Sequence, residues 1–142
     1  MNREVDKYLE LLPHRSPFRF VDKIVNYDSG KSLTTIFSST NIYNLSEIPI
    51  TVLIESVAQT AVLLTQLETE PLNAKEFPLL GSIDSTIEEE HFEMGDDFII
   101  KVGILKLLSK KAVLVGEVYN SSYAKILTAS ITVAVSIKEE EG

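Results

Sequence analysis

The chain has no cysteine, which excludes both a disulfide framework and thiol chemistry. It has only two histidines, His14 and His91, separated by most of the sequence and without ligand spacing, so no metal site is expected. There is no Gly-x-Ser-x-Gly elbow and no phosphate-cradling glycine loop. Gly30, Lys31 and Ser32 read as a hairpin turn, and no cofactor is expected. Positive charge is scarce as well, with 13 Lys and Arg against 21 Asp and Glu, a formal net charge of −8. That balance argues against nucleic acid, whose phosphates attract Lys and Arg stripes, and against an anionic membrane surface. Residues 1–7 lack the apolar core of a signal peptide, so a cytoplasmic protein is expected.

What the chain does have is a nearly unbroken apolar stretch from Ile48 to Leu64, with the carboxylate Glu55 inside it. The run is long enough to resemble a membrane span. Pro49, Glu55 and Gln59 interrupt it, however, and a central carboxylate costs a few kcal/mol in lipid. A buried helix is expected instead, with no membrane partner. Removing an unpaired carboxylate from water also costs several kcal/mol in a soluble protein. Glu55 must therefore lie at an exposed edge, be paired, or be placed there for chemistry.

With 142 residues the chain fits one domain, residues 1–142, whose last five, Lys138 to Gly142, form an acidic, solvated tail. A hydrophobic content of 44% against 24% charged residues is that of a folded domain, which excludes disorder. Asn2 can cap a short helix with Val5, Tyr8, Leu9 and Leu12 at helical spacing, ended by Pro13. A strand is expected over Phe18 to Tyr27, a turn at Asp28 to Lys31, and a returning strand over Leu33 to Ser38. The central helix is expected from Ile50 to Leu67. Its polar residues Glu55, Ser56, Gln59 and Thr60 form one narrow stripe, and Ala58 and Ala61 would let a sheet approach closely. After a loop with Pro71 and Lys75, strands are expected over Phe77 to Asp84, Phe98 to Leu107, Ala112 to Tyr119 and Lys125 to Ile137. Strands grouped after a helix imply an α+β domain, an antiparallel sheet wrapped around a long central helix.

Leu11, Leu12, Pro13, His14, Arg15, Ser16, Pro17 and Phe18, followed by Val21 and Asp22, resemble the opening signature of the (3R)-hydroxyacyl-acyl-carrier-protein dehydratases of the hot-dog fold. Val52 to Gln59 is similar to that family's central-helix signature. Gly81 to Asp84 and Gly95 with Asp96 fall where the family has a Gly-x-x-Asp strand and the turn before the next one. The resemblance runs over nearly the whole chain, with the motifs in order.

It implies a hot-dog domain that dimerises, an acyl thioester on acyl carrier protein as substrate, and an active site shared between subunits. One subunit gives a Glu, in the position Glu55 holds, and the other gives a His from a Gly-His-Phe-Pro-Gly loop. This chain departs from the family at that loop, where residues 42–48 contain neither Gly nor His. His14 matches the opening motif, whose His is not the catalytic one. Ile50 replaces the Gly that usually starts the helix. Glu88, Glu89, Glu90, His91, Phe92 and Glu93 replace a commonly basic segment, and Lys106, Lys110 and Lys111 are the candidate basic patch elsewhere. Dehydration needs both an acid and a base, and losing one such group costs about two to four orders of magnitude in rate. The expectation is a degenerate subunit, weak or inactive alone. It would contribute Glu55, with Gln59 as an orienting residue, either to a homodimer or to a heterodimer with a His-bearing dehydratase homologue. A dehydratase whose proton donor comes from elsewhere, a thioesterase using Glu55 with water, and a non-catalytic acyl-binding or scaffold subunit are the alternatives.

Overall fold

The computed structural model describes residues 20–38, 50–68, 76–88, 97–108 and 111–137. Numbered in chain order, β1 spans Lys23–Asp28, β2 Ser32–Ser38, α1 Ile50–Glu68, β3 Glu76–Ile87, β4 Asp97–Leu108, β5 Lys111–Tyr119 and β6 Lys125–Ile137. All strand pairs are antiparallel, and they build one sheet in the order β1-β2-β4-β5-β6-β3. The chain passes from β2 through α1 to β3, from one flank of the sheet to its far edge. This is the α+β arrangement expected from the order of the elements.

Alternation decides which face of the sheet meets the helix. Leu33, Thr35 and Phe37 of β2 are buried, as are Phe98, Ile100 and Val102 of β4. So are Leu114 and Val118 of β5 and Leu127, Ile131 and Val133 of β6. Every residue of α1 from Ser56 to Thr65 is buried too, on all sides of the helix. A helix apolar around most of its circumference needs such a wrap. It is also long and apolar enough to cross a membrane, yet most of it is buried inside the fold. It is the core helix.

A sheet encloses a helix only if it bends, and β-bulges bend it. Register breaks fall between Ile24 and Asn26, Leu80 and Ser82, and Ile104 and Lys106. Of the residues left over, Val25 and Leu105 are 52% and 68% exposed, and Gly81 is exposed as well. Their exposure follows from the bulges. Helix and sheet approach closely at Gly116, from the sheet side. A Cβ there would sit 2.5 Å from Val57 Cγ1 and 3.2 Å from Ile131 Cδ1. Ala58 and Ala61 are buried as well.

Several boundaries differ from expectation. β1 begins at Lys23 rather than Phe18, because the backbone of Phe20 bonds to helix side chains instead of a strand. β3 continues to Ile87, and β4 and β5 are longer by a residue or two at their ends, because ladder pairing with a neighbour extends strands past their apolar residues. The turn after β1 is as expected. Lys31 N–H donates to the Asp28 carbonyl at 2.9 Å, and Gly30 takes φ +80°, a conformation glycine adopts without a Cβ clash. The expected N-terminal helix, the loop at 42–48, Pro71, Lys75, both histidines, Lys110 and the acidic tail lie outside the described residues.

Candidate active site

Glu55 is half-buried and immediately precedes the fully buried run of α1. It stands where the core begins. Gln59, one turn on, is 1% exposed, and its Nε2 donates to Glu55 Oε1 at 3.3 Å. The two residues singled out from the sequence are thus neighbours in space, as i, i+4 spacing on a helix dictates.

The rest of the polar stripe does not face solvent. Ser56 and Thr60 are fully buried. A buried hydroxyl without a partner costs about 1–3 kcal/mol, and here each finds one. Ser56 Oγ donates to the Phe20 carbonyl at 2.7 Å, and Gln59 Oε1 accepts the Phe20 N–H at 2.7 Å. Thr60 Oγ1 donates to the Ser56 carbonyl at 2.9 Å and lies 2.9 Å from Thr35 Oγ1 on β2. The segment after Phe20 then joins the sheet. Asp22 N–H donates to the Ile36 carbonyl at 2.9 Å, while Asp22 Oδ2 accepts the Ser38 N–H at 2.7 Å. The stripe therefore stitches the chain ahead of β1 onto the helix, with Glu55 at its open end.

Sequence reasoning named Glu55 and Gln59 as candidates but not the main chain of Phe20, which bonds to Gln59. A backbone amide carries no residue-type signal, so nothing in the sequence could have pointed to it. Among the described residues no group of three His, Asp or Glu side chains is arranged to hold a metal. An open cleft of about 450 Å³ lies elsewhere, lined by Asp84, Thr86, Val115, Thr128 and Ser130 among others, and it contains neither Glu55 nor Gln59. Chemically, a half-buried carboxylate with one oxygen held by an amide is a group that can exchange a proton with a bound substrate.

The model of the ApeP-like family, described as ApeP dehydratase, matches residues 7–140. The chain belongs to the ApeP-like dehydratase family. It is 31% identical over 119 residues to the 3-hydroxyacyl-acyl-carrier-protein dehydratase FabZ of Buchnera aphidicola subsp. Acyrthosiphon pisum, covering 78% of each chain. To the FabZ of Nitrosospira multiformis it is 32% identical over 113 residues, 72% of this chain and 77% of that one. Among solved structures, the HP0420 homologue of Helicobacter felis superposes with a TM-score of 0.70 at 12% identity, over 95% of this chain and 91% of that one. The smu.793 protein of Streptococcus mutans, bound to acetyl CoA, gives 0.64 at 14% identity, over 89% and 99%. At those identities the likeness concerns the fold alone, which is the hot-dog fold.

Proposed function

We propose that this chain is a subunit of a dehydratase acting on 3-hydroxyacyl thioesters carried by acyl carrier protein, with Glu55 as one of its two acid–base groups. The observation that carries the reading is Glu55 itself, half-buried beside the Gln59 amide on the core helix of a dehydratase-family chain. Dehydration breaks a C–H bond at C2 and the C–O bond at C3, forms the C2–C3 double bond and releases water. One group takes the C2 proton while another protonates the departing hydroxyl. A carboxylate supplies one of these roles. The other belongs to an imidazole contributed by a partner subunit, a His-bearing dehydratase homologue. Amides at the N-terminus of α1, from Ile50 onward, suit a thioester carbonyl that gains negative charge in the reaction. β3 supports dimerisation, because it is an edge strand whose outer side pairs with no strand among the described residues. The sheet can continue there into a second subunit.

The test is purification of the chain alone and together with a His-bearing dehydratase homologue. Each preparation is assayed for loss of water from a 3-hydroxyacyl thioester and for hydrolysis of a saturated one. Little dehydration is expected alone, with turnover in the complex that Glu55→Ala lowers by about two to four orders of magnitude. A complex indifferent to Glu55→Ala makes the chain a scaffold. Hydrolysis by the chain alone makes it a thioesterase.

A further inference from the structure

Phe20 is held at both of its main-chain polar atoms by two side chains on one face of α1. Gln59 Oε1 accepts its N–H and Ser56 Oγ donates to its carbonyl, each at 2.7 Å. Both side chains are buried, so bulk water does not compete for either bond. From the other side, the Phe20 ring meets Phe37 edge to face with centroids 5.8 Å apart, and Phe37 stacks on Phe98 at 6.4 Å. Helix and sheet thus fix one residue from two directions.

A carboxamide has an acceptor end and a donor end. A backbone N–H can be met only by the acceptor, so Phe20 turns the oxygen of Gln59 toward itself. The nitrogen is left facing Glu55. Flipping the amide would oppose two donors at Phe20 and two acceptors at Glu55, forfeiting both bonds. The direction of the Gln59 amide is therefore decided by a main-chain group 39 residues away in sequence.

We propose that Gln59 is a positioning residue for Glu55, and that the Phe20 main chain, acting through Gln59, sets the direction of the carboxylate. The inference rests on the reading of Glu55 as the acid–base group. Its chemical content is that the side chain at position 59 must be donor and acceptor at once. Glutamate has the same length but offers Glu55 no hydrogen, and methionine offers neither end.

Two readouts test this. The first needs no turnover: the side-chain amide signals of Gln59 in a ¹⁵N-correlated NMR spectrum. They are expected to shift in Glu55→Ala and to stay put in Glu68→Ala, whose carboxylate bonds the β1–β2 turn at the far end of α1. The second is the pH–rate profile of the complex with the His-bearing homologue. Gln59→Glu is expected to lower kcat about a hundredfold, the scale of a misplaced reacting group, and to move one limb of the profile. Gln59→Met lowers kcat similarly, whereas Glu68→Ala lowers the thermal midpoint and leaves both limbs in place. Unmoved Gln59 signals in Glu55→Ala overturn the proposal, as does a Gln59→Glu profile that matches wild type. Shifted signals in a complex whose activity ignores Glu55→Ala leave Gln59 positioning Glu55 and remove only the catalytic use of Glu55.

Discussion

Thr60 on α1 and Thr35 on β2 lie 2.9 Å apart, hydroxyl to hydroxyl, with both side chains fully buried. Thr60 donates its one hydrogen to the Ser56 carbonyl, so Thr35 is the donor between the two. Thr60→Val leaves the Thr35 hydroxyl buried without its acceptor and is expected to cost about 1–3 kcal/mol. Thr35→Val costs less, because it removes a donor and strands none. The double replacement returns close to wild type, since valine keeps the shape of both sites. Urea unfolding of the three variants measures this, and single-site costs that simply add would refute the pairing.

Gly116 gives the second prediction. Gly116→Ala drives a methyl into Val57 and Ile131, where helix and sheet approach closely. Overpacking of this kind costs about 1–3 kcal/mol. The loss should appear as a lower denaturation midpoint, and combining it with Val57→Ala should cost less than the two changes summed.

Glu68, the last residue of α1, holds the β1–β2 turn. Its Oε1 accepts the Gly30 N–H at 2.7 Å and the Tyr27 hydroxyl. Glu68→Ala should destabilise the fold by about 1 kcal/mol and free the hairpin tip. Faster hydrogen exchange at the Gly30 amide is the specific sign. An exchange rate equal to wild type would mean that the turn holds without the helix.

On the outer face, Lys125 Nζ lies 2.8 Å from Glu117 Oε2, which also accepts the Tyr119 hydroxyl at 2.8 Å. The Lys125 ammonium first, and the Tyr119 hydroxyl second, hold the Glu117 carboxyl below its ordinary range. A carboxyl lowered by folding stabilises above its unfolded value, and that contribution is lost as pH falls through the folded one. The same contact raises Lys125, whose contribution is complete below the ordinary lysine range and lost in alkali. The pair is largely exposed, so the effect is small and salt weakens it. Thermal midpoints measured across the acid range should fall less steeply in Lys125→Met than in wild type, and the difference should shrink in high salt.

Gln66 presents a fifth case. Its Oε1 is buried without a hydrogen-bond partner among the described residues. Gln66→Met keeps the length of the side chain and removes the orphan acceptor, so a gain of about 1 kcal/mol is expected. A thermal midpoint below that of wild type would show that the amide does more than fill space.

β6 runs over Lys125–Ile137, where the alternation of Ile131, Val133, Val135 and Ile137 puts it, because period two is written directly into residue types. α1 starts at Ile50 as its pattern demands and ends a single residue beyond Leu67. Glu55 stood out for a related reason, as a carboxylate conspicuous in an apolar run, and helical spacing alone brought Gln59 beside it. The start of β1 was not readable in this way. Phe20 has the composition of a strand residue, yet its peptide bonds to Gln59 and Ser56.

The amino-acid order by itself determined a long buried helix, a set of antiparallel strands and one carboxylate inside the helix's apolar run, because side-chain periodicity and burial are local properties. Only the tertiary structure decided that the polar stripe of α1 would face Phe20 and β2 instead of water, that Gly116 would admit Val57, and which way the Gln59 amide points. Those outcomes depend on backbone groups and interatomic distances between segments far apart in the chain, which exist only once the sheet has closed around the helix.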